Sequence, residues 1–260
     1  MGEKMKRLIG IMQFMTRLPI PVDTGIDEEF HKSMIYFPVV GLVLGLFYYA
    51  MGIVSQEVFN TYIATIIILI GEVILTGGLH LDGLGDTFDG LYSYRDKERM
   101  LEIMKDSRLG TNALLAILLV LLLKAGFIYT LLEQGLLWVI LLMPVVARSM
   151  QVIACYKTKT PREKGMGNLF IGKVSTPYLI GTILIMLGII GIVIFIVGEL
   201  TLPSILLQLG SVLLLIIAVR LFVRSIYKKI DGITGDILGC ICELAELGYL
   251  VLIYVTYISF

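Results

Sequence analysis

Between residues 72 and 90 the chain carries Glu72 and then His80-Leu81-Asp82-Gly83-Leu84-Gly85-Asp86-Thr87-Phe88-Asp89-Gly90. Asp82, Asp86 and Asp89 are spaced i, i+4, i+7, which on a helix puts three carboxylates on one face. If that helix runs on unbroken from residue 72, Glu72 falls within about 100° of them around the axis. Like charges so arranged repel unless a cation lies between them. Hard oxygen donors without thiols suit Mg²⁺ or Mn²⁺, which bridge carboxylates to substrate phosphates. A solvated acidic helix end is the plain alternative. Four acids flanked by Gly77-Gly78, Gly83, Gly85 and Gly90 favour the metal, because glycine weakens a helix and lets a ligand approach the backbone. His80 reads as a general base, as an orienter of an Asp, or as a polar residue at a membrane interface.

Three further segments carry candidate chemistry. Asp106-Ser107-Arg108-Leu109-Gly110-Thr111 offers an acid, Ser and Thr hydroxyls and, in Arg108, a bidentate phosphate clamp, although a capped helix start reads much the same. Pro161-Arg162-Glu163-Lys164-Gly165-Met166-Gly167-Asn168 is basic and glycine-bearing in the manner of an anion-holding loop, with Arg162 its phosphate candidate. In Asp231-Gly232-Ile233-Thr234-Gly235-Asp236, Asp236 lies seven residues before Glu243, so the two share a helix face and form a second acidic stripe. Gly232, Gly235 and Gly239 beside it read equally well as close helix packing.

The elements that must position these groups follow from composition. The chain has 260 residues, 57% hydrophobic and 16% charged, with 21 Lys and Arg against 21 Asp and Glu. So little polar surface makes an integral membrane protein, and zero net charge removes the basic footprint of a nucleic-acid binder. Windows long enough to span a bilayer fall at 35–54, 62–79, 113–132, 136–155, 178–197, 202–222 and 237–258. All Lys and Arg except Lys124 and Arg148 lie in the N-terminal segment or in or beside the connections 80–112, 156–177 and 223–236. The positive-inside rule then predicts an all-α, polytopic bundle of about seven transmembrane helices. The N-terminus is cytoplasmic, the C-terminus is outside, and the acids gather on the cytoplasmic side of the cell membrane.

Residues 1–260 read as one integral membrane catalytic domain. Its first 34 read as an interfacial segment in which Leu8, Ile11, Met12, Met15 and Leu18 share a face toward the lipid bilayer, or equally as a plain hydrophobic entry segment. Gln13, Thr16 and Arg17 interrupt the apolar start, unlike a secretory leader. Residues 95–104 read as an amphipathic surface helix. Cys155, Cys240 and Cys242 imply no disulfide. Charges inside a bilayer are costly, so Glu72, Arg148, Glu243 and Glu246 are expected to line one inward crevice. Lys124, deeper, is expected to pair with Glu243 or Glu246.

The chain resembles the cobalamin synthase (adenosylcobinamide-GDP ribazoletransferase) family. The resemblance rests on Thr16-Arg17-Leu18-Pro19-Ile20-Pro21, the block from Gly77 to Gly90, Ile103-Met104-Lys105-Asp106-Ser107-Arg108-Leu109-Gly110-Thr111, and Thr234-Gly235-Asp236, in order over essentially the whole chain. Gly85 stands where Ala is expected, and Asp231 where a second Gly before Ile233 is common. The resemblance implies that adenosylcobinamide-GDP is joined to α-ribazole or its 5′-phosphate with release of GMP, and that Mg²⁺ is required. Under it, Glu72, Asp82, Asp86 and Asp89 are expected on metal, and Arg108, Arg148 and Arg162 on phosphates. Asp82, Asp106, Asp236 and His80 take catalytic duty. Nothing in the pattern opposes a homo-oligomer.

Two enzymes and a transporter are the alternatives. Asp86-x2-Asp89-Gly90 matches the start of the CDP-alcohol phosphotransferase signature, but Ser93-Tyr94 replace its Ala-Arg and the later Gly-x3-Asp-x3-Asp is absent. Membrane prenyltransferases show two Asp-rich loops with different spacing. An ion-coupled transporter wants a midplane site and internal repeats, neither of which is present.

Overall fold

A computed structural model describes residues 2–257, and helices are the regular structure among them. In chain order they are α1 (Glu3–Met15), a 3₁₀ turn (Phe30–Tyr36) running into α2 (Phe37–Val58), α3 (Thr61–Thr76), α4 (Leu79–Leu91) and α5 (Lys97–Ile103). Then come α6 (Thr111–Glu133), α7 (Leu137–Cys155), a second 3₁₀ turn (Met166–Leu169), α8 (Thr176–Ile196), α9 (Leu202–Ile230) and α10 (Gly235–Tyr257). By length and composition α2 with its 3₁₀ turn, α6, α7, α8, α9 and α10 are each able to cross a membrane. The bent pair α3 and α4 brings the number to seven if it is one broken span. This is a multi-pass, all-helical membrane protein. The C-terminal tail Ser259-Phe260 lies outside the described residues.

The bundle is organised around α7, which is buried along nearly its whole length. Its closest neighbour is α2. Gly41 and Gly45 of α2 lie against the α7 backbone at Pro144 and Leu141, where any side chain would collide. Small residues four apart are what allow two membrane helices to approach this closely. The outer faces of α6 and α9 expose Leu118, Leu122, Leu213 and Leu221, as lipid-facing helices should.

The second span departs from the expected continuous helix. Gly77 and Gly78 both take left-handed conformations, with φ of +63° and +68°, and α4 leaves α3 at 88°. Their amides return to Ile74 O and Val73 O, closing α3 in the manner of a left-handed helix cap. The N-terminal segment locks the corner: Arg17 N donates to Leu75 O at 2.7 Å, and the Arg17 side chain crosses the space a Cβ on Gly77 would need. Alone, α3 is 16 residues, about 24 Å of rise and short of a full bilayer crossing.

Other boundaries differ for identifiable reasons. The segment expected as a third loop is largely helical, because α9 continues to Ile230 and carries Arg224, Lys228 and Lys229 on its last turns. It ends at Asp231, whose φ of +58° is a conformation that Gly adopts freely and Asp tolerates. On α1, Ile11, Met12 and Met15 are buried against protein rather than laid on lipid. On α5, Met100 packs inward beside Met104, and both meet Gly90 of α4.

Gly77→Ala, which forces a side chain into a left-handed position against Arg17, is expected to lower stability by about 1–2 kcal/mol. Gly126→Ala on α6, where an added Cβ meets nothing within 4 Å, is expected to leave it unchanged. Chemical unfolding in detergent compares the two, and equal losses would contradict the corner described here.

Candidate active site

The glycines of the acidic run do something other than free the backbone for a ligand: each admits a neighbouring helix. Gly83 faces Asp236 and Gly239 of α10, Gly85 faces Ala113 and Ile117 of α6, and Gly90 faces α5. At Gly85 a Cβ would sit 3.2 Å from its neighbours, so Ala fits there with a small adjustment. The crossing of α4 and α10 at Gly83 and Gly239 brings Asp82 and Asp236 to one cleft.

That cleft has a volume of about 390 Å³, in the range of small-molecule sites. His80 and Asp82 come to it from α4, Gln151 from α7, Asp236 from α10, and Arg162, Lys164 and Asn168 from the segment between α7 and α8. That segment folds back over the cleft because Asn168 Nδ2 donates to Arg162 O and Glu163 O, each at 3.0 Å, while Gly167 packs on Gly235. Lys105 closes a further side. Opposite the charged groups stands an aromatic wall in which Phe14 and Phe37 meet Phe170 with ring centroids 5.4 Å and 5.7 Å apart.

Arg162 Nη1 binds Asp236 Oδ2 at 2.9 Å, and its Nε and Nη2 are buried with no hydrogen-bond partner. A guanidinium edge left open inside a cleft is a ready anion site. Asp82 and Asp86 make no side-chain hydrogen bond or ion pair among the described residues. Asp86, one turn beyond Asp82, lies within electrostatic range of Asp82, Asp236, Asp89 and Arg162. By chemistry these carboxylates are hard-oxygen donors of the kind Mg²⁺ takes, while the acids whose oxygens lie within ligating reach of one another among the described residues are Glu72, Glu243 and Glu246, gathered around Lys124. Asp89 is held differently. Its oxygens accept Gly110 N at 2.7 Å and Ala113 N at 2.9 Å, so it caps the start of α6.

The expected inward crevice of Glu72, Arg148, Glu243 and Glu246 is instead a closed, buried network. Lys124 Nζ binds Glu72, Glu243 at 3.1 Å and Glu246 at 2.5 Å, and Arg148 binds the other oxygen of Glu246. The 88° corner carries Glu72 out of line with the Asp run and into this network. Arg148 is 1% exposed and does not line the cleft. The network touches the cleft at one point, where Arg148 Nη2 meets His80 Nδ1 at 3.4 Å.

Asp106 and Arg108 stand apart, paired with each other on the surface, where Arg108 is 85% exposed. Hydrogen bonds from Arg108 push the Asp106 carboxyl down to about 2, which makes it a weak base. Sequence reasoning missed Lys105, Lys164, Gln151 and the aromatic wall. Gln151, a polar side chain one turn beyond Arg148 in an apolar span, was the one legible signal among them. The three cysteines are free and buried.

The family model described as CobS, cobalamin-5-phosphate synthase, matches residues 7–254. An adenosylcobinamide-GDP ribazoletransferase of Clostridioides difficile is 55% identical, with 98% of this chain and 100% of the relative covered. One of Alkaliphilus metalliredigens is 48% identical over 97% and 96%, and one of a Thermoanaerobacter species is 40% identical over 96% and 97%. No solved structure matches the chain.

Lys124→Met leaves three buried carboxylates facing one another and is expected to cost about 3–5 kcal/mol. Arg99→Met, at the exposed Arg99–Glu102 pair, is expected to leave the unfolding midpoint in place. A Lys124→Met protein as stable as wild type would contradict the network. With the matched family model spanning the helices, the acidic run and the cleft, the chain belongs to the cobalamin-5-phosphate synthase family.

Proposed function

We propose that the cleft joins adenosylcobinamide-GDP to α-ribazole or its 5′-phosphate and releases GMP, the transfer for which the relatives are named. The observation that carries this reading is the meeting, in one small cleft, of Asp82, which has no side-chain partner among the described residues, with Arg162, whose Nε and Nη2 are buried without a partner among them. The chain is thus a transferase of cobalamin synthesis.

In the reaction a ribazole hydroxyl attacks the phosphorus bonded to the cobinamide arm. A new P–O bond forms, the bond to the bridging oxygen breaks, and GMP leaves with that oxygen and the second phosphate. Asp82, Asp86 and Asp236 would hold Mg²⁺, which when bound neutralises diphosphate charge and stabilises the leaving group. Arg162 grips a phosphate through its open Nε and Nη2 edge, and Asp236 keeps that guanidinium in place. Lys105 and Lys164 add positive charge around the same volume. Asp82, lining the cleft with no side-chain partner among the described residues, takes the hydroxyl proton. Positioning and electrostatics of this kind supply most of the rate in phosphoryl transfer. A cleft of about 390 Å³ takes the diphosphate and the ribazole, and leaves the corrin macrocycle outside with its nucleotide arm reaching in.

The same reading places the protein in the cell membrane with the cleft toward the cytoplasm. Support comes from Lys105, Arg162 and Lys164 at the cleft, on the basic side of the positive-inside pattern.

Membranes supplied with adenosylcobinamide-GDP and α-ribazole are expected to release GMP. Chelation of divalent ions should abolish release, and Asp82→Ala should lower it by on the order of 10²-fold or more. Inverted vesicles should be active on added substrate and right-side-out vesicles silent. Absence of GMP from folded protein, or full activity in Asp82→Ala, would overturn the assignment.

A further inference from the structure

We propose that Arg148 is a positioning residue that fixes the tautomer of His80, so that His80 meets the substrate as a hydrogen-bond donor through Nε2 and not as a base. The substrate group that matches such a donor is a phosphate oxygen. This use of His80 rests on the transferase reading above, whereas the tautomer itself stands on geometry alone.

Arg carries five N–H donors, no acceptor, and stays protonated. Arg148 Nη2 makes one hydrogen bond among the described residues, to His80 Nδ1 at 3.4 Å, so Nδ1 must supply the lone pair. A doubly protonated ring would set N–H against N–H and cation against cation, in a place where both side chains are buried. The ring is therefore neutral with its proton on Nε2.

His80 lines the cleft, and with Nδ1 taken by Arg148, Nε2 is the ring nitrogen left without a hydrogen-bond partner among the described residues. The cleft that His80 lines is bordered as well by Asp82 and Arg162, where the proposed reaction puts the phosphates. The orientation of Arg148 is in turn set from below. Its Nη1 is held by Glu246, whose second oxygen is held by Lys124. The buried network thus reaches the reaction through a single imidazole. That gives Arg148 a purpose other than the phosphate contact its sequence position suggested.

The chain contains two histidines, which makes the test clean. His31 lies in the first 3₁₀ turn, away from the cleft, and His31→Gln leaves His80 as the sole imidazole. In that protein, labelled with ¹⁵N-histidine and measured in lipid at neutral pH, Nδ1 is expected to give the signal of an unprotonated, pyridine-type nitrogen and Nε2 that of a protonated, pyrrole-type one. A protonated Nδ1 would overturn the proposal. The pair Arg148→Met with Glu246→Gln, which leaves neither charge buried alone, is expected to lose this fixed pattern. An unchanged pattern in that pair would remove Arg148 from the positioning role.

GMP release gives the second readout. Gln presents an N–H near the position of Nε2, and Asn near that of Nδ1. His80→Gln is expected to stay within about tenfold of wild type, while His80→Asn and His80→Ala lose on the order of 10²–10³-fold, the scale for removing one positioned donor. His80→Gln as inactive as His80→Ala would overturn the donor role. Because the nitrogen signals need no turnover, a failure of the tautomer and a failure of the transferase reading are separable.

Discussion

Lys124 is fully buried and holds three carboxylates from two helices, Glu72 of α3 and Glu243 and Glu246 of α10. Arg148 of α7 completes the set through Glu246. In an apolar surrounding each charge is tolerable only while its partners stay in contact, so the four helices that supply them cannot slide independently. Three acids face two bases, so the cations are needed where they stand. Every other relation in the site follows from the register this sets. Asp236 lies seven residues before Glu243 on the same face of α10, about 10 Å along the axis, and so emerges at the cleft above the network.

The second determinant is close packing of small residues. Gly41 and Gly45 let α2 settle on α7, and Gly83 and Gly239 let α4 settle on α10. The left-handed pair Gly77 and Gly78 turns α4 across the bundle, so that its acids face α10 instead of continuing down α3. Asp89 fastens the far end of α4 to the start of α6. The cleft is thus bounded by backbones that approach closely at glycines and are held in depth by buried charge. Its roof comes from the segment between α7 and α8, stitched by Asn168.

Much of this was legible in the sequence. Apolar windows located the helices, and Asp82, Arg162 and Asp236, singled out by type and spacing, do line one cleft. The pairing of Lys124 with Glu243 and Glu246 followed from the cost of a buried charge. What was not legible depended on three dimensions. Gly77-Gly78 reads alike as a weak helix and as a right-angle corner, and only the corner separates Glu72 from Asp82. Arg148 looks like a phosphate ligand until Glu246 and His80 are seen to occupy it. Asp89 belongs to the acidic face by spacing, yet its oxygens are taken by the α6 amides. The aromatic wall joins Phe14, Phe37 and Phe170 from segments far apart in the chain, and no local pattern announces it.

The central claim is that the Asp group at the crossing of α4 and α10 holds a divalent ion against the substrate diphosphate. Binding of Mn²⁺ in place of Mg²⁺, followed by electron paramagnetic resonance in the presence of adenosylcobinamide-GDP, tests it most directly. The account predicts one class of bound Mn²⁺ with hyperfine coupling to ³¹P of the diphosphate, lost when Asp82 and Asp236 are both replaced by Asn. Bound Mn²⁺ without ³¹P coupling, or coupling that survives the double replacement, would contradict it.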